Sequence, residues 1–485
     1  MLLRRWKQLS QTNDLGSALI AVLGVMVVGL ILTTVIASSV VRAFGFSSSA
    51  RASVQSHAAA DAGVAAARAG LYIPGDCAVQ PTPGQYSSTG SLVYTASVFF
   101  DSGSGWQAGC PTLSTTRLKV VSHGTAQSFA VADVTGGNTR TVEAIFNYIT
   151  PGPQPSGPAI DLYSGGTVEA NSALDLSESS GLLIQNGNLD CAKNNTVING
   201  NIVVTGDLTF SGTCSVNGNA KVSGTANLGS GSILGNLSAA SVSPNPPGTH
   251  VTGIYTQTTS TPPPPPWTDV GYTPSDWLDS SAAPFQVMTA PTDVSCTLST
   301  GNLGGTASPG KAVIINMLGC PGGPLASNNT TISLTSDVVI FAQQFNFGAV
   351  NSLSFGSSSN SVHRLWFITP DYVADQQPTC NRAAPSPDTQ GDFTVKNSYV
   401  ASQAFSTTNL VRAMLYTPCA FVGKNGFTWN GQIYSGQYSF LKNNPTFTTD
   451  SVGIAGYNLG TGARTVILTN PQPGAPISNR DLAGG

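Results

Sequence analysis

Glycine recurs at positions 200, 206, 212, 218 and 224, a strict period of six. Within each repeat the second and fourth residues after glycine are apolar or small: Ile202 and Val204, Leu208 and Phe210, Cys214 and Val216, Ala220 and Val222, Ala226 and Leu228. Looser copies precede them at Leu189, Cys191 and Val197. Alternation at period two inside a longer repeat means a short strand, a corner and another short strand. Glycine, Asn or Asp takes the corner. Three repeats make a coil of about 18 residues, and coils stack about 4.8 Å apart. Residues 158–242 therefore read as a hexad-repeat β-solenoid. An antiparallel meander with Gly-Asn or Gly-Asp hairpins is the rival, although runs of four residues make poor meander strands.

The hexad segment resembles bactofilin-like and other short parallel β-helices. Around it, 151–157 reads as a Pro-rich linker and 243–283, with five consecutive prolines at 262–266, as a Pro-rich linker or loop. Short β-rich runs return over 284–470, read as an irregular β-helix that stacks on the first coils; a separate β-sandwich is the alternative. Part of it, 415–436, resembles rungs in bacterial surface proteins that join a pilin-like anchor to a solenoid. Residues 471–485 read as a disordered tail.

Composition agrees with a secreted β-protein. Charged residues make up only 9% of the chain, against about 25% in ordinary globular domains. Gly (53) and Pro (31) are abundant among 485 residues, and the net charge is −3. So little basic surface excludes a nucleic-acid partner. The charge is placed unevenly. Residues 1–70 carry Arg4, Arg5, Lys7, Arg42, Arg51 and Arg68 against Asp14 and Asp61, while the remainder is acidic.

Residues 17–41 hold no charge, long enough to span a bilayer as a helix. Arg4, Arg5 and Lys7 place the N-terminus in the cytoplasm and the body outside. A cleaved secretory signal is the rival, but its apolar region is shorter. The Ala-rich, Pro-free run 42–71 continues the helix, with Val54, Ala58, Ala62, Ala65 and Ala69 as a small-residue stripe. The expected helix spans 17–71, after a cytoplasmic leader 1–16. A plain anchor with an Ala-rich spacer is the simpler alternative.

A basic leader ending in Gly16, then Ser17-Ala-Leu-Ile-Ala21 opening the apolar run, then an Ala-rich continuation resembles the N-terminus of type IV pilin-like proteins, in particular minor pilins of the PilX or GspK type. The resemblance implies processing by a prepilin peptidase between Gly16 and Ser17, and other pilin-like subunits as partners. Major pilins carry Glu at the fifth mature position; here it is Ala21, and GspK-type tip subunits also lack that Glu, which argues against a major subunit.

After the helix, 72–150 reads as a small β-rich head, with strands at 91–100, 117–123 and 139–149. This is how pilin-like heads are built. The eight cysteines form no C-x-x-C and no zinc spacing. Scattered downstream of a membrane segment, they suggest disulfides in an oxidising compartment. Sequential pairing, Cys77 with Cys110, Cys191 with Cys214, Cys296 with Cys320 and Cys380 with Cys419, keeps each bridge within one segment. Free buried thiols are the alternative.

No catalytic constellation emerges. His57, His123, His250 and His363 are isolated from one another and from Cys, and His57 pairs only with Asp61 at i,i+4. Acids in the first solenoid (Asp161, Glu169, Asp175, Glu178, Asp190, Asp207) are scattered, whereas a hydrolase needs carboxylates facing one groove. Asp371, Asp375, Asp388 and Asp392 with Arg382 form a loop cluster, a weak cation candidate. Trp267, Tyr272, Trp277, Trp429, Tyr434 and Tyr438 are the aromatics that could face a sugar. No catalytic, cofactor or metal residue is expected.

The expected fold is mainly β: a long N-terminal transmembrane and amphipathic helix, a small antiparallel head, then a parallel β-helix. The expected role is structural: a single-pass bacterial cell-surface protein, either a minor or tip component of a pilus-related filament or an anchor displaying a solenoid for attachment. The membrane, and cell-wall or extracellular polysaccharide, complete the expected partners. The alternatives are a membrane-tethered carbohydrate-active β-helix enzyme and an adhesin outside any filament.

Overall fold

The computed structural model describes residues 14–126, 139–170, 173–177, 181–258, 263–299, 301–303, 310–347, 350, 352–380, 393–395, 405–408, 410–423, 427–442, 444–465 and 467–482. The fold is mainly β, with one long apolar helix, a small antiparallel sheet and a large parallel sheet. It divides into two units. One comprises residues 1–150 with 470–485, and the other residues 151–469.

In the first unit, helix α1 (Asp14–Leu71) is continuous over 58 residues. A short α2 (Asp76–Val79) follows, then strands β1 (Gln85–Thr89), β2 (Val93–Asp101), β3 (Trp106–Ala108), β4 (Arg117–Thr125), β5 (Thr139–Ile149) and, from the far end of the chain, β6 (Gln472–Leu482). The sheet order is β1-β2-β4-β5-β6, with β3 also on β2, and every pairing is antiparallel. The core of Ala60, Val64, Ala67 and Leu71 packs on Ala96, Val98, Leu118, Val120, Val142, Ala144 and Phe146. Two glycines let helix and sheet approach. A Cβ on Gly124 would strike the Ser56 and Ala60 backbone, and one on Gly63 would strike Ser122 and Tyr94.

Strand β6 corrects the expectation of a disordered tail over 471–485 as far as Leu482, and residues 483–485 lie outside the described residues. Prolines at 471, 473 and 476 disguise the strand, yet proline is tolerated on an edge strand. The register slips at Pro473 and Pro476, and the pairing with β5 continues to Leu482 opposite Thr141. Because Gln472 lies opposite Ile149, β5 and β6 are adjacent strands of one hairpin. The whole second unit is inserted in the connection between them.

The second unit is one parallel β-solenoid. No described strand of its main sheet pairs as an antiparallel meander would. Leu189 stacks on Leu208, and Ile202 on Ala220, so neighbouring coils are offset by 19 and 18 residues. Leu208, Phe210, Val216, Ala220, Val222 and Ala226 all point into the core. Corners stack glycine on glycine: a Cβ on Gly218 would strike Gly200, and one on Gly235 would strike Gly218. Beside them runs an asparagine ladder. The Asn201 Oδ1 accepts from the Asn219 N–H, the Asn219 Oδ1 from the Asn236 N–H, and the Asn236 Oδ1 from the Ile254 N–H, each at 2.9 Å.

The order of coils departs from chain order. Along one face the parallel rungs run Gln286–Thr289, Val313–Met317, Val338–Ala342, His363–Ile368, Val411–Thr417, Thr428–Ser435, then Ile160–Leu162, Leu182–Ile184, Ile202–Val204, Ala220–Asn227, Leu237–Ser243 and Tyr255–Gln257. The chain enters in the middle, winds to one end, crosses to the opposite end and winds back. Its last coil stacks on its first, with Ile433 opposite Ile160, Leu441 opposite Val168 and Phe447 opposite Leu174.

The segment 151–157 is therefore not a free linker, and the described residues of 243–283 form a rung and an external loop. Gln432 Nε2 donates to the carbonyls of Ser156 and Pro158, both at 2.9 Å, fixing the entry. Tyr255–Gln257 forms a rung, and Gly253 sits over Gly235, one coil of 18 residues away, a spacing already present in the sequence. The crossover then lies on the outside of the second half. Trp267, Val270, Trp277 and Phe285, with Val452, Ile454 and Leu459, cover the outward residues Ile314, Val339, Phe341, Trp366, Met414 and Tyr416. Strands such as Val338–Ala342 are buried on both faces for this reason.

Candidate functional site

Two surfaces stand out: the apolar half of α1 and the solenoid. Every large apolar side chain from Leu19 to Val41 is exposed, as are Phe44 and Phe46. Among the described residues, α1 is one helix long and apolar enough to cross a membrane. Its few hydroxyls turn back on the helix. Thr33 Oγ1 donates to Leu30 O (3.0 Å), Thr34 to Ile31 O (2.8 Å), Ser38 to Val35 O (2.9 Å) and Ser39 to Ile36 O (2.8 Å). A helix in hydrocarbon must satisfy its polar groups in this internal way. Arg4, Arg5 and Lys7 lie outside the described residues. Gly16 and Ser17 fall within α1, which begins three residues before the expected start.

The second half of α1 is a packing element, through a different stripe from the one the spacing suggested. Ser56, Ala59, Ala60, Gly63, Val64, Ala67 and Leu71 are buried, whereas Val54, Ala58, Ala65 and Ala69 are exposed. An Ala-rich helix carries several small-residue stripes, and Gly63 opposite the sheet decides among them. Between α1, β5 and β6 an open groove of about 570 Å³ is lined by Val64, Arg68, Tyr72, Phe146 and Pro476. The Arg68 guanidinium lies 5.3 Å from the Phe146 ring centroid.

Four disulfides join Cys77 to Cys110, Cys191 to Cys214, Cys296 to Cys320 and Cys380 to Cys419. The second and third tie successive coils together. Removing such a bridge costs about 2–5 kcal/mol.

The scattered acids have structural partners. Asp190 Oδ1 accepts from Ser211 Oγ (2.7 Å), Asp207 Oδ1 from the Thr225 N–H (2.7 Å) and Asp175 Oδ1 from Ser177 Oγ (2.6 Å), while Glu169 pairs with Lys442 (3.5 Å). Glu178, Arg382, Asp388 and Asp392 lie outside the described residues. Asp371 is buried and accepts from the Trp267 indole N–H (3.3 Å) and the Thr379 N–H (3.1 Å). Burial pushes its carboxyl above the usual range. Asp269, pushed up by the same cause, accepts from the Gln376 N–H at 2.7 Å. Among the described residues no group of three His, Cys, Asp or Glu side chains could hold a metal ion.

The histidines stay apart. His57 lies 3.5 Å from Asp61 and 3.2 Å from Asp481 of β6, His123 contacts Thr141, His250 contacts Gly231 O, and His363 lies 4.0 Å from Asp337. Of the candidate sugar-facing aromatics, Trp267, Trp277, Trp429 and Tyr434 are buried and Tyr272 packs edge-on to Phe341 at 4.9 Å. Tyr438 is exposed, with its hydroxyl 2.9 Å from Thr167 Oγ1.

One functional residue escaped sequence reading. Gln432 is wholly buried, and its Oε1 accepts from the N–H groups of Val452 (2.8 Å) and Gly453 (3.0 Å) while its amide holds Ser156 and Pro158. It clasps the entering and leaving chains of the solenoid. A lone Gln in a strand gives no signal for this.

No protein-family model matches the chain, and no curated protein matches it. Among solved structures the chain is similar to the competence-associated pilin ComZ from Thermus thermophilus, at 12% identity over 89% of this chain and 98% of that one, with a TM-score of 0.28. A likeness at that score carries no argument for fold or function.

Proposed function

We propose that this chain is a structural protein of the bacterial cell surface, anchored through α1 with its N-terminus in the cytoplasm, and that it serves as a low-copy, minor-pilin-like subunit displaying the solenoid. One observation carries the reading: a single helix is uncharged and exposed from Ala18 to Val41 and packed under a small antiparallel sheet in its second half. The first half supplies anchorage in lipid or in a bundle of like helices, where Gly24 and Gly29 would permit close approach. The second half couples the anchor rigidly to the head.

The role is presentation, without a catalytic step. The disulfide-tied coils supply a stiff platform, and its loops supply contact surface for cell-wall or extracellular polysaccharide. A prepilin peptidase and other pilin-like subunits are the partners this reading names. Mass spectrometry of the mature N-terminus tests it. A chain beginning at Ser17 is the expected result, and an intact Met1 on the surface-displayed protein would reduce α1 to a plain anchor. Turnover of any member of a polysaccharide panel by the purified protein would replace presentation with catalysis.

A further inference from the structure

Asp161 occupies an unusual place in the solenoid. It points outward from Ile160–Leu162, the first rung of the chain, directly opposite Tyr434 on Thr428–Ser435, the rung with which the last coil closes. The following outward positions in the same column are Leu183 and Val203. A carboxyl group thus stands where the next rungs carry apolar side chains, at the one junction that joins the two halves of the stack.

The residue is 1% exposed. Oδ2 accepts from the Gln185 side-chain amide at 2.6 Å, while Oδ1 is buried without a hydrogen-bond partner. Tyr434 offers no help, because its hydroxyl is turned to Pro158 O at 3.2 Å. An ionised carboxylate in such a site lacks the donors it needs.

We propose that the junction between the first and last coils is a pH-sensitive joint, tight while Asp161 is protonated and loosened when it ionises. The titratable groups around it are few. Tyr434 faces it across the junction, and burial drives that hydroxyl far upward, so it stays neutral. Tyr163 meets the Trp267 ring edge-on at 5.9 Å, and beyond Trp267 lie Tyr416, Asp269 and Asp371 of the outer cover. Burial raises the Asp161 carboxyl to about 7, against a smaller lowering by Gln185, and no cation acts on it among the described residues.

The sign follows from linkage. Below about pH 4 the carboxyl is protonated whether the joint is open or shut, and pH has no effect. As pH rises toward 7 only the open joint releases the proton, so opening becomes easier. Above about 7 both forms are ionised and the effect levels off.

Hydrogen exchange on the full-length protein in detergent, at pH 5 and pH 8, tests the joint. Peptides covering 158–163 and 432–436 are compared with interior peptides covering 202–206 and 220–224, each corrected for intrinsic exchange. The junction peptides should lose protection on the order of 100-fold between the two pH values, with little change in the interior ones. Asp161→Asn should abolish the difference. Unchanged protection at the junction, or a dependence that persists in Asp161→Asn, would overturn the proposal. The wild-type junction-against-interior comparison decides even if the variant fails to fold.

Discussion

Arg480 on β6 meets Glu143 on β5 at 2.7 Å, and Glu143 is buried while Arg480 is largely exposed. The last strand of the chain thus satisfies a buried carboxylate on the strand that precedes the solenoid. Lys119 Nζ lies 4.0 Å from the same carboxylate. Arg480→Ala should destabilise the head by about 1–2 kcal/mol, because it leaves a buried charge underpaired. Denaturant unfolding of the head, with limited proteolysis of β6, checks this. Glu143→Gln in the same background should recover most of the loss.

Since β5 and β6 pair as a hairpin with Ile149 opposite Gln472, the head does not need the solenoid to close its sheet. Replacing 151–469 by a turn of about three residues should give a folded head in detergent. Disulfide mapping of Cys77–Cys110 and a cooperative thermal transition would show it. Failure to fold would make the two units interdependent.

Stacked corners leave no space for a side chain at Gly218, where a Cβ would strike the Gly200 backbone, whereas Gly271 has open space around it. Gly218→Ala should cost about 2 kcal/mol or more, because backbone in a closed stack cannot yield. Gly271→Ala should be neutral within about 0.5 kcal/mol. Parallel urea titrations of the two variants separate the outcomes.

Asp101 in the head accepts from Arg117 Nη2 at 2.6 Å and from the N–H groups of Gly103 and Gly105. The Arg117 hydrogen bond is the largest influence, and it holds the carboxyl below the usual range. A carboxyl lowered in the folded state contributes stability above its unfolded value of about 4, and loses that contribution as pH falls further. Head stability should therefore decline below about pH 4, more steeply in wild type than in Asp101→Asn. Thermal melts across pH 2.5–6 read the difference.

Gln432→Leu removes the clasp that holds both ends of the solenoid. It strands the N–H groups of Val452 and Gly453 and removes the Gln432 donor from the carbonyls of Ser156 and Pro158, of which Pro158 O keeps the Tyr434 hydroxyl. A loss of about 2–4 kcal/mol is expected for the second unit. Proteolytic cleavage near 452–460 should appear before any cleavage within the coils.

The hexads were legible because each repeat states the same inward pair and the same corner. Leu208 and Phe210, for example, are both in the core. The coarse class and the antiparallel strands of the head were legible for the same local reason. The coil order was not. Val338–Ala342 is apolar on both faces, so no alternation marks which side is inward or that an outer cover exists. The entry clasp joins Gln432 to Pro158 across 274 residues, a separation that leaves no local trace. Strand β6 was hidden by prolines that only its place at a sheet edge makes acceptable.

The swapped order of the two halves fixes a timetable for synthesis. As the polypeptide emerges, coils after Ile160 can each be laid on the one before, but their starting rung keeps an uncovered edge throughout. The later coils emerge starting from the opposite end of the stack, with no earlier layer beneath them, and their outer face is the one covered by Trp267 and Trp277. Only when Ile433 reaches Ile160 is that edge sealed, so the first β-rung to leave the ribosome is among the last to be completed.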